Sequence, residues 1–575
     1  MRGRSAGPTL DSAAMEERRR WLRILVPAIL VGTAAVLMVA GLSSPGRIVF
    51  DEVYYVNDAR DMLEFGVEQG FVVHPELGKA LIATSIRLFG DTPFGWRALG
   101  GIAGAATVLL TYLTGLRLFR RMVPAALAAL LMTIDGVFLV QARTAMLDVY
   151  LALFTSLAAW ALVAHVQRTR EADERWLAED PGPHDHLPRR DTSLLALAGI
   201  AFGLAIGVKW SGLLGLGAGG LVMIGAEMAR RRRVLGSPWR RPWRGVALLA
   251  VSLVVVPLAT YLVTWTPWFL DYEHSYEAEQ SCDDPGSAAC AATPLPARAA
   301  GLWRFHGRMV RFHAGLEAEH SYRAPAYTWP VLARPVVFYY ETCSEDRYNR
   351  VPRTETEDGE TTVEVPEPCT VERDEAAEML AVGNPALWWA FLPAAALLVA
   401  GAVRRDRRAV IPLVFVLGQF LPWLAVSRPV FSFYAVPIVP FLALGVAAAI
   451  TQVGDRRPLL APMLGAVAGG AGAAAVVWAF DLVAGDASRA VYGLVAAAGA
   501  AVGAGVATWR RGDGTDAAAV AEPDALPGWN RPATWLVVVL TLVAVGLALF
   551  FLPIWLGIPL DSDMVRSRWW FRGWI

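Results

Sequence analysis

Charge is scarce in this sequence. Charged residues fill 18% of its 575 positions, against about 25% in soluble globular domains. Hydrophobic residues fill 55%, and mean hydropathy is +0.41. A chain this poor in charge reads as a membrane protein. Formal net charge is zero, so the basic footprint of a nucleic-acid binder is lacking. Only four cysteines occur, none in a CxxC spacing, which argues against a zinc site. The first apolar run, Ile24–Leu42, has no clear A-x-A cleavage site. It is also longer than the ~7–15 residues of a signal-peptide core. It therefore reads as a retained membrane helix. No internal repeat is evident either, and repeat symmetry is what many transporters would show.

Long apolar runs are what the sequence does have. A transmembrane helix needs about 20 apolar residues. Runs that meet this lie near 24–42, 95–116, 123–140, 147–166, 192–208, 211–228, 244–265, 385–402, 410–426, 431–450, 459–482, 488–508 and 533–556. The expected fold is an all-α polytopic membrane protein with about 11–13 transmembrane helices. The run Leu77–Phe89 carries Lys79 and Arg87 and reads as a helix at the membrane surface. Four segments follow: an N-terminal tail over 1–23, a transmembrane module over 24–265 with a long loop at 43–94, a second long loop over 266–384, and a C-terminal transmembrane module over 385–575.

Lys and Arg accumulate on cytoplasmic loops. With the N-terminus inside, the inner loops carry Arg117/Arg120/Arg121, Arg189-Arg190, Arg230–Arg233 with Arg240-Arg241, Arg404-Arg405/Arg407-Arg408, Arg456-Arg457 and Arg510-Arg511. Both long loops then face outward. All four cysteines, Cys282, Cys290, Cys343 and Cys369, fall in the second, where an oxidising exterior permits disulfides. Of three possible pairings, 282–290 with 343–369 is the simplest.

Ionisable residues gather at the same outer boundary. Asp51 and Glu52 follow the first span, His74 and Lys79 close the first loop, and Arg97 starts the second span. The third and fourth spans are joined through Asp135–Asp148, which includes Arg143. Lys209 stands where an apolar run leaves the membrane. Charges at membrane depth are costly and usually pair or serve function. A carboxylate can take a proton from a hydroxyl, and Arg or Lys can hold a phosphate. His306, His313 and His320 recur every seven residues. Ligands seven apart on a helix lie about 10 Å apart along its axis, too far for one ion. The segment instead reads as an amphipathic interfacial helix with Trp303, Phe305, Met309 and Phe312 among Arg304, Arg308 and Arg311.

An ordered series of short motifs runs along the chain. The series starts with Phe50-Asp51-Glu52, His74-Pro75-Glu76-Leu77-Gly78-Lys79, Arg97 with Gly101, and Asp135–Asp148. It continues with Lys209-Trp210-Ser211-Gly212 and Tyr261–Phe269, then Phe312-His313, His320-Ser321-Tyr322, Trp329-Pro330 and Arg334-Pro335. Leu421-Pro422-Trp423 and Arg428 with Phe433-Tyr434 complete it. In this order the motifs resemble the protein O-mannosyltransferase family in its bacterial, actinobacterial-like form, over about residues 49 to 440. Two positions depart from it. Glu76 stands where the family often has a second proline, and Phe433 where it often has histidine. The loop 266–384 is too short for the trefoil insert of fungal and animal members.

The resemblance implies a GT-C glycosyltransferase that moves mannose from a polyprenyl-phosphate carrier to Ser or Thr hydroxyls of exported proteins, inverting the sugar. It implies Asp51 as the general base, with Glu52 orienting the acceptor or sharing that role. Arg97 is expected to hold the donor phosphate or fix the carboxylates. His74 and Lys79 are expected to shape the first loop, with His74 equally a substrate contact. Asp135 is expected to cap its turn, and Arg143 and Asp148 to pair with each other or with the loop. Lys209 is a phosphate candidate, and His313, Arg428 and Tyr434 complete the substrate-binding set. No metal ligands or cofactor are implied, and a divalent-cation requirement stays open. Expected partners are the donor lipid, exported protein acceptors, the bilayer and the secretion channel, at the plasma membrane with an extracytoplasmic site. The alternatives are a GT-C transferase acting on a lipid or glycan, and a transporter or flippase.

Overall fold

The computed structural model describes residues 10–70, 73–180, 184–240, 243–317, 320–348, 353–357, 360–364, 368–455 and 531–574. The apolar runs become helices. The first, α1 (Leu10–Val39), is followed by two shorter helices in the first long loop, α2 (Glu52–Phe65) and α3 (Leu77–Phe89). Next come α4 (Pro93–Phe119), α5 (Met122–Thr133), α6 (Gly136–Ala142), α7 (Asp148–Glu179), α8 (Ser193–Val208) and α9 (Gly212–Leu235). A further span, α10, covers Trp243–Thr264. After the second long loop, with its amphipathic helix α11 (Leu295–Ala314), come α12 (Pro385–Val403), α13 (Arg407–Phe420), α14 (Val439–Asp455) and α15 (Arg531–Leu556).

Among the described residues, nine helices are long and apolar enough to cross a membrane. The pair α5 and α6 adds a tenth span if read as one, bent by 64° at its break, and α8 is a shorter apolar helix. Each expected run outside 459–482 and 488–508 thus coincides with a helix or with this pair. Those two runs, with the loop arginines 456–457 and 510–511, lie outside the described residues.

Local chemistry explains the boundaries that matter. Thr92 opens α4 by accepting the Gly95 N–H, and Pro93 fills the first helical position, where a missing N–H costs nothing. A methyl on Gly101 would stand 2.6 Å from the Met38 carbonyl, so α4 and α1 approach at a contact only hydrogen allows. Such close approach is how membrane helices gain packing where lipid supplies no hydrophobic drive. The break between α5 and α6 is capped by Asp135, whose Oδ1 accepts the Phe138 N–H.

The second long loop adds what the sequence reading did not anticipate. Strands β1 (Val336–Thr342), β2 (Arg353–Glu357), β3 (Glu360–Glu364), β4 (Glu375–Ala381) and β5 (Leu560–Asp561) form two sheets. One is the antiparallel order β1-β4-β5, and the other pairs β2 with β3. The disulfides are Cys282–Cys290 and Cys343–Cys369. Because β5 follows α15, the C-terminal segment returns to this domain. Trp569 donates its indole N–H to Glu378 at 2.9 Å, and Trp574 donates to the Leu332 carbonyl at 2.6 Å. On α11, Leu302, Phe305 and Met309 are buried while Trp303 is 81% exposed, as its amphipathic pattern predicts.

Candidate active site

Asp51 precedes α2, in a turn held by its neighbours on both sides. Phe50 sits in the left-handed region at φ +47, which costs a non-glycine residue about 1–3 kcal/mol. Its ring is clamped by Phe338 at 4.5 Å and Phe433 at 5.7 Å between centroids. Phe433, one of the two departures from the family pattern, is therefore the packing partner of the residue before Asp51.

Glu52 is wholly buried and fully engaged. Oε1 accepts from Arg97 Nε at 2.7 Å and from the Ala145 N–H at 2.8 Å. Oε2 accepts from Arg97 Nη2 at 2.8 Å and from the Val49 N–H at 3.0 Å. Arg97 directs its remaining N–H groups to the carbonyls of Leu42, Pro45 and Arg47. All five guanidinium donors are thereby used. Of the two roles expected for Arg97, the geometry supports fixing a carboxylate; no donor remains for a phosphate. The same geometry leaves Glu52 no free oxygen direction for a hydroxyl acceptor.

Asp51 is the opposite case. Its carboxylate makes no hydrogen bond or ion pair among the described residues, yet burial lifts its pKa from 3.8 to about 6. The Lys209 ammonium opposes that rise, and the Asp148 carboxylate adds to it. Lys209, in the turn between α8 and α9, donates to Asp148 Oδ2 at 2.6 Å. Asp148 is the first residue of α7, where a helix N-terminus favours negative charge.

Beside this pair opens a cavity of about 320 Å³, lined by His74, Asp148, Lys209, His313, Arg428 and Tyr434, with Trp210 and Trp423 among its walls. Arg428 lies over the rings of Trp423 and Tyr434, with centroids at 5.9 and 5.6 Å. It has no acidic partner among the described residues. His313 donates from Nε2 to the Val73 carbonyl at 3.0 Å, leaving Nδ1 buried without a partner. Its ring is 5.5 Å from that of His74. Burial, with Lys209 and Arg428 nearby, holds both imidazoles below their usual pKa, so both are neutral acceptors at physiological pH.

Six expected site residues are not among those lining the cavity: Asp51, Glu52, Lys79, Arg97, Asp135 and Arg143. Asp135 is a cap, with Oδ2 accepting from the Asn384 N–H at 2.9 Å and the Trp388 indole at 2.8 Å. Among the described residues, Arg143 pairs neither with Asp148 nor with another acid. Its guanidinium binds the carbonyls of Leu37 and Ala40, each at 2.7 Å, closing the C-terminal end of α1 where a cation is favoured. Lys79 is fully buried between Asp58 and Glu68, so it shapes the first loop. Glu52 and Arg97 hold each other, one residue along from Asp51. The histidine series divides as well: His306 accepts from the Tyr261 hydroxyl at 2.6 Å, His313 faces the cavity, and His320 lies beyond α11.

One signal in the sequence was overlooked. Among 52 basic residues only two are lysines, Lys79 and Lys209, and both are buried against carboxylates at this end of the molecule. Also overlooked were Asp58 and Glu68, the partners of Lys79, and the aromatic clamp on Phe50.

Known proteins resemble this chain in sequence and in fold. Residues 91–273 match the family model for dolichyl-phosphate-mannose-protein mannosyltransferase. Residues 299–494 match that for the C-terminal four-transmembrane region of protein-O-mannosyltransferase. A polyprenol-phosphate-mannose–protein mannosyltransferase of Mycobacterium tuberculosis (strain CDC 1551 / Oshkosh) is 31% identical over 471 residues, covering 78% of this chain and 84% of the relative. The enzyme of that name from Corynebacterium glutamicum is 30% identical over 466 residues, covering 76% and 84%. Among solved structures, the S. cerevisiae protein O-mannosyltransferase Pmt1-Pmt2 complex bound to the sugar donor shares the fold, with a TM-score of 0.62 over 96% of this chain and 92% of that chain at 14% identity. The fold is thus GT-C, and the extent of these matches along the sequence means that the chain belongs to the protein mannosyltransferase family.

Proposed function

We propose that this protein transfers mannose from a polyprenyl-phosphate-mannose donor to Ser or Thr hydroxyls of exported proteins, with Asp51 as general base. The observation that carries the reading is the contrast within one acidic pair. Glu52 is saturated with hydrogen bonds, whereas the Asp51 carboxylate is unpartnered, desolvated and beside the Lys209–Asp148 pair. A base of pKa about 6 is ionised at neutral pH and remains strong enough to take a hydroxyl proton.

The step balances with one base. Asp51 removes the acceptor hydroxyl proton as that oxygen bonds to the anomeric carbon. The bond from that carbon to the phosphate oxygen breaks on the opposite face, and its electron pair leaves with polyprenyl phosphate. The sugar configuration inverts. Arg428, a cation in the cavity without an acid partner among the described residues, is the favoured contact for the departing phosphate. Lys209 keeps Asp148 neutralised and adds positive potential. His74 Nε2 or Nδ1 and the free Nδ1 of His313 are acceptors for sugar hydroxyls.

The arginine-rich loops favour a cytoplasmic N-terminus, which puts the site on the outer face. Acceptors emerging unfolded from the secretion channel are then the natural substrates. The test supplies membranes with labelled polyprenyl-phosphate-mannose and a Ser/Thr/Pro-rich secreted peptide. Label on the peptide, lost in Asp51→Asn, is expected. Label found only in lipid would favour a GT-C enzyme with a lipid acceptor, and label merely moved across the bilayer would favour a flippase.

A further inference from the structure

The opposite end of the same helices holds a second cavity, of about 290 Å³, which the transfer reaction does not use. It lies between the C-terminal parts of α7 and α9 and the turn that joins α12 to α13. Val166, Val222 and Val414 are among its apolar walls, and Leu221, 62% exposed, also lines it. The volume is near the lower end for small-molecule sites, about 300 Å³.

Six arginines line it, and they are not equivalent. Arg170 is engaged by Glu174 at 2.5 Å, Arg190 by Glu227 at 2.8 Å, and Arg230 and Arg233 by Asp173 at 2.8 and 3.1 Å. Arg405 and Arg407 have no acidic partner among the described residues. The acid between them, Asp406, is engaged by Arg408 at 2.9 Å. Arg405 holds the left-handed conformation at φ +61, within the turn that delivers both cations to the cavity. A second observation points to a ligand. His165 lines the cavity at 2% exposure, and its Nε2 has no hydrogen-bond partner. Buried polar atoms are normally satisfied, so an orphan beside a cavity marks a place for a partner.

We propose that this crevice binds one anionic membrane phospholipid, with its head-group phosphate on Arg405 and Arg407 and an acyl chain along the valine wall. Guanidinium groups suit phosphate because their N–H forks meet two oxygens at once. Basic pockets between membrane helices are where anionic head groups lodge. His165 Nε2 then accepts from a head-group hydroxyl, as phosphatidylglycerol offers. A free phosphate shares the charge chemistry but would leave the apolar wall uncovered. The lipid is therefore the occupant that the whole cavity fits.

The experiment uses the full chain, purified in detergent with equal phosphatidylglycerol and phosphatidylethanolamine added and read by native mass spectrometry. The wild type is expected to retain phosphatidylglycerol preferentially. In the double variant Arg405→Gln/Arg407→Gln the preference should fall about tenfold, in keeping with loss of charge-assisted hydrogen bonds. Val222→Trp, which fills the wall and keeps every charge, should lose the lipid too. This second variant decides the matter if the first fails to fold. Unchanged preference in a folded variant would overturn the proposal. So would thermal protection by sn-glycerol 3-phosphate equal to that by phosphatidylglycerol, which would identify a soluble anion as the ligand.

Discussion

Arg97 grips Glu52 through two hydrogen bonds, 2.7 Å from Nε and 2.8 Å from Nη2, at a point where neither side chain touches solvent. The pair ties the start of α2 to α4 and, through Ala145, to the approach of α7. Asp51, one residue earlier, inherits its position from that knot without taking part in it.

Removing one member of the knot should act on the fold. A buried ion pair that loses one partner typically costs about 3–5 kcal/mol, because the survivor is left charged and unpaired. Glu52→Gln and Arg97→Met are each expected to lower the thermal midpoint of the detergent-purified protein substantially. The double variant Glu52→Met/Arg97→Met should cost less than the two single changes combined. Strict additivity would show that the two side chains do not act as a unit.

Asp51→Asn should do the reverse. Loss of a general base typically costs on the order of 10²–10⁴-fold in rate, and transfer in membranes supplied with donor should fall by that much. Thermal stability should hold or rise slightly, since a neutral amide replaces a desolvated carboxylate. Full activity of this variant in the peptide assay would remove Asp51 from the base role.

The pH profile follows from the same carboxyl. The base must be ionised, so kcat/KM should be flat above about pH 6 and fall tenfold per unit below it. The stability effect has the opposite sign. The folded state binds this proton more tightly than the unfolded chain, so the stability owed to Asp51 declines as pH rises from about 3.8 to about 6. Rates and thermal midpoints measured from pH 4.5 to 8, with and without Asp51→Asn, check both. Because burial holds the His74 imidazole well below its usual pKa, His74→Gln should leave the inflection in place.

Arg428 should govern donor affinity. A hydrogen bond to a charged group contributes about 1.5–3 kcal/mol, or roughly 10–100-fold in binding. Arg428→Ala is expected to raise the KM for polyprenyl-phosphate-mannose by that factor. Arg428→Lys, which keeps charge and loses the planar fork, should recover part of it. A KM unchanged in Arg428→Ala would direct attention to Lys209 for the phosphate.

The membrane helices were legible because run length alone specifies them: every carbonyl and N–H in lipid must be satisfied within the segment. Even the broken span showed its cap, Asp135, ahead of Gly136. The site was legible as a set of motif positions and illegible as a set of partners. Arg97 could equally have met a phosphate or a carboxylate, and its actual partner lies 45 residues away in sequence. Lys79 likewise reaches back to Asp58 and Glu68. Strands β1 and β4 were hidden for a related reason. They pair across a disulfide-closed loop, and β4 gains its other neighbour from beyond α15.

The placement of the two lysines has a practical use. Amine-reactive reagents meet only two side-chain targets in this chain, Lys79 at 0% exposure and Lys209 at 5%. Side-chain labelling would be silent on the surface and would report only when the first loop or the cavity opens. Acylation of Lys209, followed by peptide mass spectrometry with and without donor lipid, would turn a compositional quirk into a native clock for the opening of this cavity.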